Sequence, residues 1–158
     1  RLVLIAPFWR MPGFLPRLVP VARLFKRRMY ILKDVDFSDP TVRAQIGQVM
    51  PGMDLDDPAT QEFIRNEATL PLSAIHELLR LGREAHRIAP SIAVPALVVQ
   101  GTEDQVVRPA ETRRLVRRLT QASVTHWELP GGHDLIQRHS AQAAPVAARV
   151  VEYLGDLR

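Results

Sequence analysis

The sequence predicts an α/β fold: a mostly parallel sheet that carries an inserted helical segment. Three observations lead there. Leu2 to Ala6 and Ala96 to Gln100 are short apolar, β-branched runs stopped by Pro7 and Gly101, the pattern of strands buried on both faces of a parallel sheet. Between Ala96 and Leu129 the pattern alternates: a strand, a proline-led helix from Pro109 to Thr120 with Leu115, Val116 and Leu119 on one face, and a second strand from Val124 to Leu129. Roughly eighty residues of helical rather than strand pattern separate the first two strands, where a simple crossover needs only about a dozen.

The elements follow in order. Pro7 ends the first strand, and Phe14 to Lys33 carries Leu15, Leu18, Val19, Ala22, Leu24, Phe25, Met29 and Ile31 between basic residues; Pro16 and Pro20 are expected to restrict helix to its later part. Ser38-Asp39-Pro40 and Asp57-Pro58 are helix starts, each a capping side chain followed by proline at the first helical position. Val42, Ile46 and Val49 form the apolar face of the first helix, and Phe63 and Ile64 serve the second. Pro71 opens a longer helix with Leu72, Ile75, Leu78, Leu79, Ala85 and Ile88 as its buried stripe, which Pro90 and Pro95 end. A last helix spans Ala141 to Leu157 with Val146, Val150, Val151 and Leu154 inward and Pro145 tolerated in its first turns.

At 158 residues and 46% hydrophobic content the chain can bury a core. No apolar run approaches the roughly 18 residues of a membrane span, and no signal peptide is evident. Without cysteine there is no disulfide framework or thiolate metal site, so the redox compartment is open and cytoplasm is the default location. The net charge of +4 is uneven: Arg1 to Lys33 is basic, and Asp34 to Glu67 is mainly acidic. Two mutually compensating faces are the expectation. Nucleic-acid binding is not, because no recognised motif or interleaved aromatics accompany the charge. The basic stretch around Arg23 to Arg28 has two readings, a membrane-surface element and a helix that covers its own domain with a solvated cationic face; the second is adopted.

The candidate chemistry lies at strand ends. Asp104 follows the Ala96 to Gln100 strand, and His133 follows the Val124 to Leu129 strand on a Gly-Gly loop. An acid and a histidine so placed would project from one edge of a sheet, where open α/β folds bind ligands. A histidine base with an orienting carboxylate needs that arrangement.

These residues resemble the C-terminal half of an α/β-hydrolase, most closely the esterase, lipase and lysophospholipase-like members. The pattern is a strand entering Gly-x-x-Asp-x-x-Val, here Gly101 to Val107, then a proline-led helix, a strand, and Gly132-His133 before the last helix. The resemblance implies that Leu2 to Ala6, Ala96 to Gln100 and Val124 to Leu129 are the sixth, seventh and eighth strands of that fold. It divides the chain into a core strand (1–7), a helical cap (8–90) and a C-terminal core (91–158). It makes Asp104 the triad acid and His133 the triad base of a serine hydrolase acting on carboxylic esters, in the order nucleophile, acid, histidine. No Gly-x-Ser-x-Gly elbow occurs among Ser38, Ser73, Ser91, Ser123 and Ser140. In the family the elbow precedes the sixth strand, so the nucleophile and much of the oxyanion hole are expected before Arg1, on a missing N-terminal half, and this chain alone is expected to be inert.

Each assignment has a rival. Glu103 competes with Asp104, and the family pattern favours Asp104. Asp134, next to His133, is read as facing elsewhere, and His126 and His139 are read as structural or surface groups. His76 and His86 lack the i, i+4 spacing of a helical metal pair, so no metal or cofactor is expected. Phe8, Trp9, Phe14 and Phe25 are candidates to line an apolar acyl pocket, with plain packing the rival for each. Alternative functions are a haloalkane dehalogenase with an aspartate nucleophile, a peptidase, and a non-catalytic lipid-surface module. Epoxide opening is disfavoured because that chemistry uses two cap tyrosines, and Tyr30 and Tyr153 are the only tyrosines.

Overall fold

The computed structural model describes residues 1–10, 15–30, 32–138 and 140–155. The elements are β1 (Leu2–Ile5), α1 (Leu15–Phe25), β2 (Arg28–Tyr30), α2 (Pro40–Val49), α3 (Pro58–Glu67), β3 (Thr69–Pro71), α4 (Leu72–Ile88), β4 (Ala96–Gly101), α5 (Pro109–Arg118), β5 (Val124–Leu129) and α6 (Ala143–Gly155). The chain divides into two compact units, one of Arg1–Arg10 with Gly82–Arg158 and one of Met11–Leu81.

The first unit holds a parallel sheet in the order β1-β4-β5, with Leu2 opposite Ala96 and Ala96 opposite Val124. All six residues of the central strand β4 are buried, as the continuous apolar run predicts. On one face Ala96 and Val98 pack with Leu115 and Leu119 of the α5 segment. On the other, Leu97 and Val99 pack with Leu135 and with Val146 of α6. Strand alternation sends successive side chains to these two covers. β1, expected to be buried on both faces, is half-buried and lies at an edge of the sheet, with β4 its one strand neighbour among the described residues.

The second unit has two cores of its own. Val19 and Ala22 of α1 meet Leu72, Ile75 and Leu79 of α4, and Phe37, Ile46, Leu55 and Ile64 enclose another cluster. Asp39 caps α2 by accepting from the Thr41 N–H (2.7 Å), and Asp57 caps α3 by accepting from Ala59 (3.1 Å) and Thr60 (3.2 Å). Both Asp-Pro starts behave as expected.

Three expectations change. The insertion is not all helix: β2 and β3 form an antiparallel pair, Met29 opposite Leu70, each too short for a readable alternation. Pro71 accordingly closes β3, and α4 begins one residue later. Pro20 lies inside α1 and does not delay its start. The basic stretch is also not ion-paired with the acidic segment: among the described residues no acid pairs with Arg23, Lys26, Arg27 or Arg28, while Asp36, Asp39, Asp54 and Asp57 accept from nearby backbone N–H groups and Asp56 pairs with Arg43.

Candidate active site

Parallel pairing puts the C-terminal ends of β1, β4 and β5 on one edge, and the loops after β4 and β5 meet there. The meeting depends on Gly101. A Cβ at this position would collide with the carbonyl oxygens of Gly131 and Gly132, so only glycine lets the two loops lie this close. Thr102 N–H then donates to Leu129 O (2.9 Å) and Glu103 N–H to Gly131 O (3.0 Å). Gly131 itself sits at φ +135°, a conformation that side chains oppose. Fully buried Leu135, two residues past His133, anchors the loop in the core beneath β4.

Asp104 folds its own turn. Its Oδ1 accepts from the N–H groups of Val106 (2.8 Å) and Val107 (2.7 Å). Its Oδ2 accepts from Gln100 Nε2 (3.1 Å) and lies 2.9 Å from His133 Nδ1. The Asp104 side chain is wholly inaccessible, whereas that of His133 is 36% exposed. A buried carboxylate without partners would be prohibitively costly; four donors on two oxygens replace its water. An ionised carboxylate can only accept, so with Asp104 ionised and the imidazole neutral Nδ1 carries the shared hydrogen and Nε2 keeps the lone pair. The pair can therefore take a proton at Nε2 and stabilise the resulting cation, the task of a general base.

Geometry separates Asp104 from its rival: Glu103 is exposed, and the imidazole bonds to Asp104. Of the candidate aromatics, Trp9 belongs to the core on the α5 face, stacked on His86 at 5.2 Å, with its indole N–H donating to Glu111 O (2.9 Å). Phe8 is half-buried, Phe25 is 83% exposed, and Phe14 lies outside the described residues. His126 Nε2 is 3.6 Å from Glu128 Oε1, a carboxylate already held at both oxygens by Arg113 at 2.7 Å. His139 lies outside the described residues. Among the described residues no group of three His, Asp or Glu could hold a metal, and no helix is long and apolar enough to cross a membrane.

Sequence reading passed over Gln100 and Thr112. Both are fully buried, and the Thr112 hydroxyl donates to Gln100 Oε1 at 2.6 Å. The available signals were a polar residue in a buried strand and a threonine on the inward face of a helix.

A monoacylglycerol lipase from Paleococcus ferrophilus superposes with a TM-score of 0.62 at 19% identity, over 96% of this chain and 57% of the lipase. The chain thus spans little more than half the length of that relative. A thioesterase domain from the curacin biosynthetic pathway aligns over 94% of this chain and 56% of its own at 17% identity, with a TM-score of 0.49. No curated protein matches the chain. A family model described as serine aminopeptidase, S33, matches residues 1–137. With most of its length matched and the sheet and loop order of the α/β-hydrolase fold, the chain belongs to that family of α/β-hydrolases.

Proposed function

We propose that this chain supplies the acid and the base of a serine hydrolase acting on carboxylic esters with an apolar acyl group. The observation that carries the reading is the 2.9 Å contact between His133 Nδ1 and the buried Asp104 carboxylate. A serine outside these 158 residues is the nucleophile. Its Oγ attacks the ester carbon while its proton passes to His133 Nε2; that proton then leaves with the alcohol, and water, activated by the same nitrogen, releases the acid. Two facts support an outside serine. None of the five serines has the elbow's flanking glycines. The hydroxyl hydrogens of Ser38 and Ser91 are already donated, to Asp36 Oδ1 and to Ile88 O. In this reading the helical insertion is the cap, and half-buried Phe8 stays a candidate to contact an acyl chain, whereas the Trp9 ring is enclosed in the core.

In the protein that joins this chain to its nucleophile, His133→Ala should lower p-nitrophenyl ester turnover by about 10²-fold or more. Turnover near wild type would remove the assignment.

The description of the matched family favours a second reading, cleavage of an N-terminal aminoacyl bond by the same acid and base. An ester and an aminoacyl p-nitroanilide, compared at equal concentration, separate the two.

A further inference from the structure

We infer that Gln100, oriented by Thr112, is a positioning residue for the Asp104–His133 pair. The inference deepens the reading above and rests on it only for its kinetic arm.

Gln100 is fully buried at the end of β4, and its amide faces two sets of groups. On one side Nε2 lies 3.0 Å from Gly101 O, 3.1 Å from Val107 O and 3.1 Å from Asp104 Oδ2. On the other, Oε1 accepts from the Thr112 hydroxyl. The network leaves the amide one orientation. All three groups facing Nε2 are acceptors, so a flipped amide would set its oxygen against three oxygens. Two amide hydrogens serve three acceptors, and one of those is the carboxylate oxygen that also receives His133.

The consequence concerns the direction of a lone pair. Val106 and Val107 hold Oδ1, and Gln100 and the imidazole share Oδ2, so the carboxylate is held against turning about its terminal bond and the Oδ2 lone pair that Gln100 leaves is the one for Nδ1–H. Thr112 brings α5 into the arrangement: the helix packed on the sheet sets the amide, the amide sets the carboxylate, and the carboxylate sets the ring. Water cannot substitute, since Gln100, Thr112 and the Asp104 side chain are all enclosed. A merely structural staple would need only the bonds to Gly101 and Val107. The third bond, to the reacting pair, is what a positioning role adds.

The test uses Gln100→Leu, Thr112→Val and Thr112→Ser in the protein that joins this chain to its nucleophile, with the far-downfield proton resonance of His133 Nδ1–H as the readout. The wild type should show the resonance. Gln100→Leu and Thr112→Val should shift or broaden it while the chain stays folded, and Thr112→Ser, which keeps the hydroxyl, should restore it. In the ester-cleaving protein, kcat should fall about 10- to 100-fold in the first two variants with KM within about twofold. Should Gln100→Leu not fold, Thr112→Val decides, since it leaves the bonds to Gly101 and Val107 in place. An unchanged resonance and kcat in the folded variants, or no such resonance in the wild type, overturns the inference. A wild type that cleaves no ester defeats the ester reading alone, because the resonance still decides the role of Gln100.

Discussion

A single residue can be legible in the sequence and still misread. His86 lies in the stripe-bearing helix α4 without any metal-pair spacing, and nothing in the pattern ties it to Trp9. In the structure its ring stacks on that indole, and burial, with the charges of Arg118 and Arg10, holds its imidazole below the ordinary histidine value. The sign of the pH dependence follows. A depressed folded value means that the unfolded chain binds the proton more readily, so this contribution is present above the unfolded value of about 6.5 and is lost as pH falls through the folded one. The urea midpoint should therefore drop as pH is lowered from about 7, and His86→Phe, which keeps the stack, should flatten that part of the curve. Parallel curves for the two proteins would count against the assignment. Asp104 and His133, by contrast, were readable at once, because an acid three residues past a strand-ending glycine and a histidine after two glycines leave few alternatives. Gln100 and Thr112 were not, because a polar residue in an apolar run reads as an exception until its partners are seen.

Between elements, the site depends on how closely two loops approach. The hydrogen bonds from Thr102 and Glu103 to Leu129 and Gly131 join the end of β4 to the loop after β5, and Gly101 is the position where an added methyl would meet two carbonyl oxygens. Those atoms are backbone and cannot swing aside as a flexible side chain would. Gly101→Ala is therefore expected to displace the Gly131–Gly132 loop and destabilise the chain by about 1–3 kcal/mol. The same substitution should weaken the His133 Nδ1–H resonance. A urea midpoint and a resonance both equal to wild type would show that the loops are not in contact. Element boundaries were the weaker part of the sequence reading. Three-residue strands such as β2 and β3 carry too few residues for a period of two to emerge, and Pro20 could be weighed only as a helix breaker, although α1 contains it.

At the scale of the whole molecule, the helical insertion has cores distinct from those around the parallel sheet. Ile64, fully enclosed with Phe37, Ile46 and Leu55, serves only the Met11–Leu81 unit. Ile64→Ala should cost about 2–5 kcal/mol there, seen as lost hydrogen-exchange protection in α2 and α3, while β4 amides and the His133 resonance keep their wild-type behaviour. Equal loss of protection in β4 would mean that the two units unfold as one. The sequence by itself determined the α/β class, the three parallel strands, the helix starts at Asp39-Pro40 and Asp57-Pro58, and the placement of Asp104 and His133 at neighbouring strand ends. Those features rest on local signals: short apolar runs, capping side chains, and glycines at strand ends. Tertiary structure alone decided that β1 is half-buried, that Trp9 belongs to the core, that the cations of Arg23 to Arg28 have no acidic partner among the described residues, and that Gln100 and Thr112 stand behind Asp104. Each of these depends on which distant segment covers a side chain or accepts its hydrogen bond, and the spacing of residues along a chain does not encode that pairing.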